Sequence, residues 1–405
     1  MKCKKETLRY LGLLLFSLAF LWIGYRVTTT DNAFFAGNTR AETYYRSRVV
    51  SVSEPEHIVE DYEGWHREYE QVTIEVLLLE GAMEGEVVSM TYQLDLDAAY
   101  DTYPYQVGDR IFVGFDFGEG GSIHWYAVDH LREQYILGMA VVFLALLVAF
   151  GRVKGANTVL SLVLTICAIF LVMIPGIIKG YNIYWITFLI SSFVVIMTLG
   201  IVIGLSSKSI AAAAGCICGV GLAGVITVVM QNAMKISGLI DEDSSFVLYI
   251  NPESPIDLKG VIFAAIVIGA LGATMDVAMS IASSLDELLI HRPDLTNREL
   301  IASGLNIGRD IMGTMANTLI LAYVGSSLHV ILLLLAYNQS VGSIINREQV
   351  AVEVLQAIAG SIGILFTVPA TTMVTAAMRS RFADRGTPQP LPPSENPPAE
   401  DPEKS

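Results

Sequence analysis

The chain is poor in charge, and positive charge is the scarcer kind. Only 16% of its 405 residues are charged, and 25 Lys and Arg face 40 Asp and Glu. No basic patch of the kind that follows a phosphate backbone is present, which argues against a nucleic-acid partner. Cysteine is also rare, with only Cys3, Cys167, Cys216 and Cys218. None lies in the hydrophilic stretch of residues 28–134, so that stretch is expected to fold without disulfides. Cys216 and Cys218 stand two apart on an expected helix, so they point in different directions and offer no metal-ligand spacing. The Walker lysine loop, H-E-x-x-H and G-x-S-x-G are all missing. Gly219-Val-Gly221-Leu-Ala-Gly224 spells a dinucleotide fingerprint, but it sits inside an apolar helix with no strand before it. Close helix packing is the reading it supports. No cofactor and no metal site is expected.

Apolar residues are what the chain has in excess. It is 53% hydrophobic with a mean hydropathy of +0.53. The apolar residues come in blocks of membrane-spanning length: Leu8–Tyr25, Tyr135–Phe150, Thr158–Ile178, Tyr184–Leu205, Ser209–Met230, Leu258–Ala278, Ile311–Tyr337 and Val354–Met378. The fold class this predicts is an α-helical polytopic membrane protein with about eight transmembrane helices. The first block follows a basic start without a good cleavage site, which reads as a retained anchor over residues 1–27.

Between the first two blocks the pattern changes. Arg48–Ser53, Gln71–Leu79, Glu86–Leu94, Asp109–Phe117 and Ile123–Val128 are short, β-branched and aromatic, with turn signals between them. About five strands in this space predict a small inserted all-β domain over residues 28–134, an OB-like barrel or a sandwich. A seven-helix membrane domain then covers residues 135–380. The tail over residues 381–405 is acidic and proline-rich, a composition that cannot bury enough apolar area to order itself.

Loop charge sets the expected orientation. Lys2, Lys4, Lys5 and Arg9, Arg152 and Lys154, Lys208, Arg292 with Arg298 and Arg309, and Arg379 with Arg381 and Arg385 all fall on one side of an eight-span chain. That side is the cytoplasm, and both termini lie there. The β domain and Asp241-Glu-Asp243 fall outside.

Two segments carry the residues able to do chemistry. In Gly269-Ala-Leu-Gly272-Ala-Thr-Met-Asp276-Val-Ala-Met-Ser280-Ile-Ala-Ser283-Ser284, the small and polar residues recur three or four apart. In Asn306-Ile-Gly308-Arg309-Asp310-Ile-Met-Gly313-Thr314-Met-Ala-Asn317, Asn306, Asp310, Thr314 and Asn317 share another stripe. Thr296-Asn-Arg-Glu299 reads as a capping box that opens the second helix. A hairpin turning near Asp294 puts Asp276 level with roughly residues 310–314. Carboxylates near membrane depth are expensive, so Asp276 and Asp310 are candidate ion- or substrate-binding residues, with Asn306, Thr314, Asn317 and Ser280 around them. Arg309 is the candidate charge partner. The bland alternative places both acids at the interface, where they only set helix register. His329 reads as a packing histidine before it reads as a proton relay.

These two segments, extended through Ser303–Ser327, resemble the YibE/F family of multi-spanning bacterial membrane proteins, over roughly residues 135–380. The resemblance implies an integral protein of the bacterial plasma membrane and supplies no activity. Three functions stay open. One is a transporter or channel for an ion or small solute, using the Asp/Asn/Thr/Ser cluster. The second is a sensor or assembly factor whose outer domain binds a protein or cell-wall partner. The third, an intramembrane aspartyl protease, is disfavoured: Arg309 stands where that motif has its second glycine, and a fixed cation suits a proton-sharing dyad poorly. The chain is therefore expected not to be an enzyme, and its surroundings are the lipid bilayer.

Overall fold

A computed structural model describes residues 2–29, 44–62, 65–81, 83–95, 104–117, 122–240, 242–250, 255–336 and 340–378. The acidic tail and Asp241 lie outside the described residues. The chain divides into two compact units, one of residues 33–149 and one of residues 1–32 with 150–405.

The smaller unit is an antiparallel sheet of β1 (Tyr45–Val52), β2 (Glu56–Tyr62), β3 (Trp65–Leu78), β4 (Val87–Asp95), β5 (Arg110–Phe117) and β6 (Ile123–His130). The strand order is β2-β3-β1-β5-β6, with β4 on the other edge of β3. At fourteen residues, β3 is long enough to pair β2 along its first half and β1 along its second. Alternation sends Val72, Ile74, Val76 and Leu78 inward against Val49, Val88, Met90, Ile111 and Val113. β4 also approaches β6, so the sheet curls around this core. Five strands are expected from the sequence and six are present. The additional one, β2, is a Glu-His-Ile-Val-Glu-Asp-Tyr segment whose charges hide its pairing with β3.

Two arginines brace this unit with three ion pairs. Arg46 on β1 reaches Glu80 at 3.3 Å and Glu133 at 2.9 Å. Arg132 reaches Asp129 at 2.6 Å. The hydrogen bond from Arg132 holds the Asp129 carboxyl below its usual range.

The larger unit is helical. Its elements are α1 (Lys2–Thr29), the latter part of α2 (Glu133–Ala168), a π-helical turn (Ile169–Met173), α3 (Ile174–Ile178), α4 (Ile183–Val202), α5 (Ser207–Ala233), α6 (Glu242–Tyr249), α7 (Leu258–His291), α8 (Asn297–Ser326), α9 (Leu328–Ala336), α10 (Val341–Ile345) and α11 (Glu348–Ala377). Among the described residues, six helical runs are long and apolar enough to cross a membrane: Thr7–Thr29, Glu133–Ile178, Ile183–Val202, Ser207–Ala233, Leu258–His291 and Glu348–Ala377. The second run spans 46 residues and is kinked at Arg152, whose φ of 49° and ψ of −127° are not helical. The expected block Ile311–Tyr337 is shared between α8 and α9 and is not among the six. Asn306, Arg309, Asp310 and Asn317 lower the hydropathy of α8.

α11 is central, packing on α5, α8 and α7. Its contact with α5 is close because α5 offers glycine there. A methyl group on Gly215 would overlap Thr371, and one on Gly219 would overlap Thr367 and stand 2.6 Å from the Gly363 carbonyl oxygen. A methyl group on Gly224 would stand 3.0 Å from the Phe263 ring. The glycines of the refused dinucleotide fingerprint thus include two that let neighbouring helices approach. Buried Thr367 and Thr375 satisfy their hydroxyls on the carbonyls of Gly363 and Thr371, one turn back, at 2.8 Å each. Cys216 is buried with its Sγ 3.4 Å from Thr274 Oγ1, while Cys218 is exposed.

Candidate functional site

The α7–α8 hairpin is set by its turn. Thr296 Oγ1 accepts from the Glu299 backbone N–H at 3.3 Å, and the Thr296 N–H donates back to Glu299 at 2.8 Å. This is the capping box read from the sequence, and it fixes where α8 begins. Two close approaches then fix the register of the hairpin. Leu285 on α7 lies against Gly304 on α8, and the Tyr323 hydroxyl of α8 lies against Gly269 on α7. Interpolating along both helices places Asp276 level with about residues 313–316, slightly beyond the expected 310–314.

α8 has two faces. The back face carries Gly304 and Gly308, whose missing side chains admit Thr372 and Val368 of α11. The front face carries Asn306, Asp310, Thr314 and Asn317, and all four are exposed. The expected stripe therefore exists as a continuous, uncovered polar band. On α7, Asp276 and Gly272 are exposed and Ser280 is half-buried. Gly272 and Gly313 have nothing within 4 Å of where a side chain would begin, so open space adjoins both acids. Toward the turn an open groove of about 540 Å³ continues the α7 face, lined by Ser283, Ser284, Glu287, Leu288 and His291 with Ile307 of α8.

The polar residues are close in level but sparsely bonded. Arg309 Nη1 donates to Asn306 Oδ1 at 2.9 Å. Thr314 Oγ1 donates to the Ile311 carbonyl of its own helix at 2.8 Å. Among the described residues, no hydrogen bond or ion pair joins Asp276 to Asp310, or Arg309 to any carboxylate. His329 is exposed. Among the described residues no group of three His, Cys, Asp or Glu is placed to hold a metal ion.

Sequence reasoning passed over two anchors. Asp286 of α7 is 13% exposed and meets Lys208 of α5 at 3.8 Å. Glu348 opens α11 and takes the backbone N–H groups of Ser237 at 2.7 Å and Gly238 at 2.6 Å. Neither carboxylate belongs to an apolar stripe, so hydrophobic periodicity does not pick it out. In the smaller unit, Phe115 packs on Tyr45 and Trp125 with ring centroids 6.0 Å and 5.3 Å away, beside an exposed Phe117. Tyr45 joins this group, Tyr105 packs edge-on against Tyr92, and Tyr44 is exposed.

Long apolar helices joined to a small antiparallel sheet define a multi-pass membrane protein with an inserted β unit. The family of YibE/F-like proteins matches over residues 139–381, and the chain belongs to that family. No curated protein matches it. No solved structure matches it either.

Proposed function

We propose that the protein is a transporter or channel for an ion or small solute in the plasma membrane of a bacterium. The observation that carries this reading is the uncovered polar band of α8, with Asp276 of α7 at its level. A polar face at membrane depth has to meet water, a solute or another polar surface, because lipid satisfies none of its groups.

The reading includes about eight crossings. Two arguments add to the six long apolar runs. A helical run of 46 residues is ~69 Å long, about twice the ~30 Å hydrocarbon core, and its kink at Arg152 lies near the middle. α8 with α9 covers residues 297–336, ~60 Å, and falls short on hydropathy only because of its polar face. An even number of crossings leaves both termini in the cytoplasm with the Lys- and Arg-bearing loops, and puts the β unit outside. The two aspartates serve here as ion or solute ligands, with no catalytic role.

The test is proton and monovalent-cation flux into proteoliposomes holding the full chain. Asp276→Asn and Asp310→Asn are each expected to lower flux at least tenfold without loss of folded protein. Equal flux in both variants and the parent would remove the site.

A second reading has its own observation. The aromatic group of Tyr45, Phe115 and Trp125, with Phe117 exposed, suits a protein or cell-wall glycan partner. Under this reading Phe117→Ser in the full chain abolishes capture on purified cell wall and leaves flux unchanged.

A further inference from the structure

Beyond the polar band, where α8 gives way to α9, a second cavity opens against α11. It is a groove of about 230 Å³. Its walls include Tyr323 of α8, Ser327 at the end of that helix, Ile331 of α9, and Val350, Glu353 and Ala357 of α11. Along α11 it reaches from Gln349 to Ile358, ~14 Å of helix. The surface it presents is apolar. Asp276, Asp310 and the other residues of the polar band take no part in it.

Two polar groups in these walls lack partners. Ser327 is only 7% exposed, and its Oγ has no hydrogen-bond partner among the described residues. Thr314, Thr318 and Ser326 each return their hydroxyls to carbonyls of α8, so the lone Ser327 hydroxyl is not the habit of this helix. A buried hydroxyl left alone is costly. Glu353 is half-buried in a helix apolar enough to cross a membrane. Among the described residues it takes no hydrogen bond and no ion pair. Glu348, five residues earlier, already ties the start of α11 to Ser237 and Gly238, so Glu353 is not needed there. A carboxylate in such a helix calls for a cation.

We propose that this groove binds an amphipathic organic cation, of which a primary alkylamine is the simplest case. The hydrocarbon body lies along Ile331, Val350 and Ala357, where it leaves the membrane interior for equally apolar walls. The ammonium pairs with Glu353 and donates an N–H to Ser327 Oγ, so both unpartnered groups are satisfied by one ligand. Water does not suit the groove, because apolar walls offer it too few partners. A phospholipid chain suits the walls but carries its phosphate toward Glu353, where like charges repel. The site stands apart from the transport reading, since neither Asp276 nor Asp310 belongs to it.

The test is photolabelling of the full chain in lipid nanodiscs with an eight-carbon primary amine that carries a diazirine, the labelled residues being read by mass spectrometry. Label is expected on α9 and on the Val350–Ala357 stretch of α11. Excess octylammonium is expected to suppress it at least tenfold, whereas octanol and octanoate leave it within twofold. Glu353→Gln is expected to lower labelling at least tenfold, and Glu353→Asp to keep part of it. The competition arms use the parent protein alone, so they hold even if a variant folds poorly. Absence of label on these helices would mean that phospholipid keeps the groove, and overturns the proposal. Competition by octanol as strong as by octylammonium overturns it too, since the groove would then read chain and not charge. So does full labelling of Glu353→Gln. Flux is not read in this assay, so failure of this site and failure of the transport site remain distinguishable.

Discussion

The α5–α11 contact and the α7–α8 face use similar residues to opposite ends. Both are rich in Gly, Thr and Ser. At the first, Gly215 and Gly219 are filled by Thr371 and Thr367, and the buried Thr367 hydroxyl is bonded one turn back. At the second, Gly272 and Gly313 adjoin open space and the polar side chains are uncovered. Small residues alone therefore do not make a helix contact. What separates the two regions is charge: Asp276, Arg309 and Asp310 stand on the open face, whereas the α5–α11 contact is uncharged. Thr can return its hydrogen bond to a carbonyl of its own helix, whereas the charge of Asp or Arg is not neutralised by its own helix backbone.

The sharpest way to break this comparison is a methyl group on each side. Gly219→Ala pushes Cβ onto the Gly363 carbonyl oxygen and Thr367, where backbone blocks relief. It is expected to cost about 1–3 kcal/mol, read as a lower melting temperature in detergent micelles. Gly272→Ala meets nothing and removes a helix-disfavouring residue, so it is expected to be neutral or to gain up to ~1 kcal/mol. Equal losses at both positions would erase the distinction.

The next effect concerns the anchor that fixes one end of α11. Glu348→Ala leaves the N–H groups of Ser237 and Gly238 without their carboxylate. A loss of about 1.5–3 kcal/mol is expected in the same melt, with Glu348→Gln recovering part of it. Lys208–Asp286 is longer and partly solvated, so Asp286→Asn is expected to cost at most about 1 kcal/mol.

The smallest effect lies in the β unit and depends on pH. Arg132 depresses the Asp129 pKa in the folded state. The contribution is therefore present above the ordinary aspartate pKa and is lost as pH falls through the depressed one. Asp129→Asn is expected to flatten the acid limb of the stability profile slightly, to lower stability by a small and constant amount from pH 7 to 9, and to converge with the parent at low pH. A steeper acid limb in the variant would contradict the sign.

Much of this was legible before any coordinates. The capping box at Thr296 and Glu299 was readable because it is local, needing only the right pair three residues apart. The inward line of Val72, Ile74 and Val76 was readable because alternation reports one buried face. β2 was not, because its charges mask the pairing that β3 imposes from across the hairpin. The polar stripe of α8 was visible as a period. That Gly304 and Gly308 mark the opposite, packed face was not, since only the position of α11 decides which side of the helix is covered.

The measurement closest to the central claim, that the α7–α8 face is wet within the membrane, is thiol labelling at Gly272→Cys in intact membranes. The native cysteines are replaced first, and a charged, membrane-impermeant maleimide is compared with a lipid-soluble one. The account predicts prompt labelling by the charged reagent. Labelling by the lipid-soluble reagent alone would mean that this face looks into hydrocarbon.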